Sequence, residues 1–184
     1  MRIINKQNLH QWSIEARALR ISYTPFTHNF WVLTDANNNI IDQIHGLAID
    51  PQTGATKGIG NSSDLLQVIR GSNFIWSLKP NQLTVICATD QEAETRKRWQ
   101  AAVNSFHEIN ALQLHYPNLW QHFYKKNSNS VFNTIGQIMG IDSPARLLPT
   151  CAPGIHLIIS QDIINQYRYK HREHYCFSDS VPLL

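Results

Sequence analysis

The stretch His28–Ile49, "HNFWVLTDANNNIIDQIHGLAI", decides the fold. Two apolar runs rich in aromatic and β-branched residues flank Thr34–Asn39, a cluster of Asp and Asn of the kind that builds tight turns. The pattern predicts an antiparallel hairpin with His28 and His45 near its open ends. Strand side chains alternate faces, so the register decides whether the two imidazoles meet. If Leu33 pairs with Ile40, His28 lies directly opposite His45, about 4.5–5.5 Å away at Cβ. A turn centred on Asn37 and Asn38 puts Phe30 opposite His45 and His28 on the diagonal, still on the same face. An odd-length loop separates them.

Outward from the hairpin, Leu19–Tyr23 reads as an earlier strand, and residues 50–63 as a polar loop rich in Gly, Ser and Thr. Phe74–Leu78 and Leu83–Ala88 read as a second hairpin around Lys79–Gln82. From Thr89 the period changes. Residues 89–110 predict a long helix, opened by a capping box of Thr89 with Glu92 and carrying an apolar stripe through Trp99, Ala102, Val103 and Phe106. A second helix follows "NSNS" (127–130), with Val131, Ile135, Ile138 and Met139 on one face and Gly140 as its stop. Gly154–Ser160 predicts a late buried strand, and the tail reads as irregular or helical around 163–170. The sum is one α+β domain over 1–184, an antiparallel sheet packed against helices.

Composition narrows the function classes. With 42% hydrophobic and 16% charged residues the chain fits an ordinary globular protein, and a net charge of +3 in short groups is too sparse for a nucleic-acid footprint. Three widely spaced cysteines are not a disulfide framework, which predicts folding in a reducing compartment. The first residues carry no signal-peptide pattern and no run is long enough for a transmembrane segment, so synthesis as a soluble cytoplasmic protein is expected.

Chemistry concentrates at "KNSNSVFNTI" (126–135). A helix N-terminus offers unpaired N–H groups and a partial positive charge, which favour an alkoxide or oxyanion. Ser, Asn and Thr are also the preferred N-caps, so Ser128 and Ser130 read equally as caps. With two strand histidines upstream, the expected assignment is Ser128 as nucleophile, His28 as general base and His45 as its orienter. Asn127 and Asn129 brace the turn, and Ser130 is the reserve nucleophile.

The strings "HNFWVL", "IIDQIHGLA" and "KNSNSVFNTI" resemble the histidine strand, the following strand and the nucleophile helix of the circularly permuted papain-like group. That group includes cell-wall amidases of NlpC type and relatives of lecithin–retinol acyltransferase, and modules of bacterial toxins look similar. The resemblance spans about a quarter of the chain. It implies a hydrolase that cleaves an amide of peptidoglycan or a lipid ester by acyl transfer, without a cofactor. It further implies an antibacterial effector with an immunity protein and a secretion machinery, such as type VI, as partners. Export into a target-cell periplasm would follow. A catalytically inactive interaction module of the same fold is the alternative. Serine stands where the group has cysteine, which leaves open a natural serine hydrolase, an inactive relative or a Cys→Ser substitution.

A weaker constellation is zinc-like. His171, His174 and Cys176 lie within six residues, and Cys151 or His156 could complete four ligands, although the spacing follows no strong zinc pattern. Cys87, inside an apolar strand, reads as core.

Overall fold

The structure, a computed structural model, describes residues 11–170. Six strands form one antiparallel sheet in the order β4-β3-β2-β1-β6, with β5 on the other edge of β3. They are β1 (Trp12–Arg20), β2 (Thr27–Thr34), β3 (Ile40–Ile49), β4 (Thr56–Lys57), β5 (Leu65–Arg70) and β6 (Thr84–Asp90). The helices are α1 (Glu92–Asn104), α2 (Phe106–Ala111), α3 (Ser128–Ile138) and α4 (Gln161–Tyr167). The α+β class and the antiparallel sheet backed by helices are as the hydrophobic periods predict.

The sheet has two unlike faces. Ile14, Ala16, Trp31, Leu33, Ile44, Ala48, Leu66 and Val68 point into the main core with α3. Ten of the eleven residues of α3 are buried, so it is a central helix rather than a surface one. Its close approach depends on two glycines. A Cβ on Gly136 would lie 2.5 Å from Trp31 Cζ2, and one on Gly46 would lie 2.6 Å from Val131 Cβ. The Trp31 indole stacks on Phe132 at 4.4 Å and donates its N–H to the Phe132 carbonyl at 2.9 Å, which fixes the rotation of α3 against β2.

The β2–β3 register runs from Thr34↔Ile40, across an irregularity, to Trp31↔Ile44. Beyond that point β2 turns its outer edge to other partners. Thr27 donates its N–H to the Cys151 carbonyl, and the Asn29 N–H and Thr27 carbonyl both bond the Asn129 side chain. The start of α3 is thus tied by a side chain to the opening between the two strands.

Several local expectations are corrected. β1 begins at Trp12 and ends at Arg20, and residues 21–26 form a turn closed by Ile21 N–H on the Phe26 carbonyl at 2.9 Å. Phe74–Leu78 is a short 3₁₀ turn, Ile75–Ser77, not a strand. The alternating strand in that region is β5, with Leu66 and Val68 buried, which the polar loop before it obscured. The first helix starts at Glu92 with Gln91 at its cap; Thr89 is still in β6, so the capping box does not form. The helix breaks at Ser105, whose hydroxyl donates back to the Ala102 carbonyl at 2.7 Å. Gly154–Ser160 is no strand either. It runs along α3 and is held there by Ile159 N–H on Thr134 Oγ1 at 2.8 Å and by Asn133 on the Leu157 carbonyl. Its apolar residues satisfy a core position without a ladder. Among the described residues no helix is long and apolar enough to cross a membrane.

Candidate functional site

The cap of α3 is Asn127, not either serine. Its Oδ1 accepts from Asn129 N at 2.9 Å and Ser130 N at 3.4 Å. Ser130 completes the box, accepting from Asn127 N at 3.1 Å and donating to the Gly154 carbonyl at 2.9 Å. A fully buried hydroxyl with both roles taken cannot serve as a reserve nucleophile, so that assignment of Ser130 is corrected. Asn129 bonds Asn29 N, the Thr27 carbonyl and the Pro153 carbonyl at 3.0, 3.0 and 3.1 Å, which anchors the first turn to β2 and to the loop before α4.

With the cap assigned elsewhere, the Ser128 hydroxyl is left to face a pocket. That pocket is lined by Phe26, Ile59, Tyr116, His122 and Pro153 among others, and its walls are mainly apolar. The Tyr116 hydroxyl lies 3.4 Å from Ser128 Oγ and also accepts from the Ser128 N–H. The Tyr116 ring meets the His122 ring edge to face, 5.4 Å between centroids. Burial pushes the Tyr116 pKa up, opposed by its hydrogen bonds to Ser128. Burial pushes the His122 pKa down, opposed by the Pro117 carbonyl that binds one ring N–H, and the Asn127 amide faces His122 Nδ1 at 3.5 Å. Tyr116 and His122 were not foreseen. They lie in an irregular stretch, 116–127, that has no period to follow, and only the shortness of that stretch before the helix start hints at their return to Ser128.

The strand histidines do meet each other. His28 Nε2 and His45 Nδ1 are 3.0 Å apart, and their rings stack at 5.3 Å. Phe30 stacks on His45 at 4.5 Å, the diagonal arrangement in which Phe30 faces His45. His45 Nε2 lies 3.2 Å from Gln43 Oε1, which can only accept, so His45 donates there and receives the His28 Nε2–H at Nδ1. The Ser77 hydroxyl is 2.7 Å from the same Gln43 oxygen. Burial lowers the His28 pKa to about 4, and burial with the neighbouring His28 lowers that of His45 to about 2.

This pair is on the wrong side of the sheet for Ser128. A Cβ on Gly46 would point at Ser128 Cα, 3.0 Å away, and the next side chain along the strand, His45, points to the opposite face. There it packs against Phe74 and Trp76, at 4.8 and 5.5 Å between ring centroids. His28 shares that face and is 6.3 Å from Trp76. The expected arrangement of Ser128 with His28 and His45 is therefore not assembled: strand parity places the sheet between hydroxyl and imidazoles. No protein family, curated protein or solved structure matches this chain.

His171, His174 and Cys176 lie outside the described residues, and among the described residues no group of three or more His, Cys, Asp or Glu side chains is placed to hold a metal ion. Cys151 is exposed. Burial pushes the Cys87 thiol up to about 12, which makes it inert as a nucleophile near neutral pH.

Proposed function

We propose that the pocket at the start of α3 is an acyl-transfer site in which Ser128 is the nucleophile and an ester of an apolar acyl group is the substrate. What supports this reading is the position of the Ser128 hydroxyl: at the first residue of a buried helix, not used as its cap, and facing a mostly apolar pocket that also holds the His122 imidazole. In the proposed step Ser128 Oγ bonds to the acyl carbon. Its proton passes to the Tyr116 hydroxyl and, once that hydroxyl turns to His122 and Nδ1 gives up its 3.5 Å contact with Asn127, on to the imidazole; the alcohol leaves with a proton returned from His122. Water then repeats the sequence in reverse roles and releases the acid. Asn127 occupies the N–H groups of Asn129 and Ser130, so the oxyanion donor is the Ser128 N–H, released when the substrate carbonyl displaces its resting contact with the Tyr116 hydroxyl. One donor and a serine nucleophile suit an ester better than an amide, which moves the lipid ester ahead of the peptidoglycan peptide. The resemblance to permuted papain-like modules carries the rest of the proposal, an antibacterial effector acting in the envelope of a target cell.

A second reading, a non-catalytic binding module, is favoured by the separation of Ser128 from the histidine pair. A fluorophosphonate probe distinguishes the two. Labelling of the wild type that vanishes in Ser128→Ala supports the acyl-transfer site. A folded wild type that does not react supports the binding module. A large gain of ester hydrolysis in Ser128→Cys indicates a site built for a thiolate.

A further inference from the structure

Nine large apolar side chains are exposed among the described residues, and five of them sit on the loops that surround one pocket. Tyr23 is fully exposed at the tip of the turn whose flanks, Ile21, Thr24 and Phe26, line the Ser128 pocket. Ile59, 64% exposed, is itself a lining residue. Trp120 and Phe123 are 79% and 53% exposed, and lie three apart on the 3₁₀ turn Leu119–Phe123, which puts them on one side of it. Phe123 meets the lining residue Phe26 edge to face at 5.6 Å, so this aromatic side joins the pocket mouth. Tyr124 follows, also exposed.

Three of the four segments around this rim carry cations and no acid, and the fourth, the loop with Ile59, lies between Asp50 and Asp64, both paired with Lys57. No acidic residue occurs between Glu15 and Asp35, between Glu108 and Asp142, or between Asp142 and Asp162. These intervals hold the turn before β2, the 3₁₀ turn, the start of α3 and the loop with Pro153. Arg20 and Lys125 are exposed within them. A ring of Trp, Tyr, Phe and Ile with exposed cations, and with its flanking acids paired to a lysine, has the composition of a surface that sits at the headgroup level of a bilayer. A soluble partner protein would be expected to meet exposed charges of both signs at the rim of such a patch, not a predominance of cations.

We infer that the rim of the Ser128 pocket is a lipid-docking surface, which inserts Trp120, Phe123, Tyr124, Tyr23 and Ile59 among the headgroups of an anionic bilayer while Lys125 and Arg20 meet the phosphates. Docking would hold the pocket mouth against the source of an apolar acyl chain. The inference shares its pocket with the proposed function but does not require Ser128 to react.

Co-sedimentation with vesicles of phosphatidylcholine, with and without phosphatidylglycerol, tests it. Wild type and Ser128→Ala are expected to pellet equally with the anionic vesicles, which separates docking from catalysis. Trp120→Ala with Phe123→Ala lowers the partition coefficient at least about tenfold. Lys125→Gln lowers it about fivefold at low salt, and Leu112→Ala, an exposed apolar site elsewhere, leaves it unchanged. Thermal melts of the variants confirm folding. Failure of the wild type to pellet overturns the inference, as does equal loss in Leu112→Ala. A wild-type dimer in light scattering that Trp120→Ala with Phe123→Ala converts to a monomer also overturns it, by showing that a second copy covers the rim.

Discussion

The two faces of the central sheet bury polar groups in opposite ways. On the α3 face, polar side chains bond to backbone: Asn129 to β2, Asn127 to the carbonyls of His122 and Pro153, Ser130 to Gly154. They join segments far apart in the chain and set where the helix begins. On the other face the polar groups bond to one another along β3 and its cover, from His28 to His45 to Gln43 to Ser77. Backbone ties leave one hydroxyl, Ser128, turned to the pocket, whereas the side-chain ladder is closed beneath Phe74 and Trp76. The comparison teaches that a histidine ladder is not evidence of a nearby nucleophile. One residue of parity, Gly46 against His45, separates a structural network from the pocket.

The largest expected effect breaks the first face. Asn129→Ala removes a buried amide and leaves the Asn29 N–H and the Thr27 carbonyl without their partner. A loss of about 2–4 kcal/mol is expected, read as a lower urea midpoint with unchanged slope. A loss below half a kcal/mol would mean that β2 does not depend on this anchor.

Next in size is the acid response of the second face. Both histidines have folded pKa values below the ordinary 6.5, to about 4 and about 2. The unfolded chain therefore binds more protons, and stability falls as pH drops. The contribution is fully present above pH 6.5 and is lost through the window down to about 4 for His28 and about 2 for His45. Between pH 7 and 5 each histidine costs about 2 kcal/mol. His45→Gln should remove about half of that slope in urea titrations. An unchanged slope would place the acid response elsewhere in the molecule.

How far the sequence reaches follows from what carries a period. The hairpin of β2 and β3 was legible because two apolar runs of aromatic and β-branched residues flank a turn rich in Asp and Asn; the diagonal register was one of three it allowed. Residues 128–138 read as a helix because the apolar spacing is regular. Gly154–Ser160 failed for a physical reason: "GIHLIIS" is apolar because it lies on α3, and burial alone does not say whether a ladder satisfies the backbone. The candidate site divides in the same way. Ser128 was singled out by its place at a helix start, and the meeting of His28 with His45 by strand spacing. Which face each occupies relative to α3 depends on where the helix docks. That is fixed by Gly46, Gly136 and the Trp31–Phe132 stack, contacts that no local window contains. His122 and Tyr116 are brought in by an aperiodic loop and were out of reach.

The smallest expected effect is the sharpest. If the sheet separates the two faces functionally, His28→Asn and His45→Gln lower stability yet leave fluorophosphonate labelling of Ser128 within about twofold at pH 7.5, measured below each variant's melting range. His122→Asn removes the imidazole on the pocket side, and should slow the same labelling by about a hundredfold, the usual contribution of a positioned base. The stability losses and the labelling rates move independently, so a merely weakened fold cannot imitate the second result. Should His28→Asn slow labelling as strongly as His122→Asn, the strand histidines would have to reach Ser128 in a rearranged sheet. The opening between β2 and β3 that Asn129 now fills is the place where such a rearrangement would have to begin.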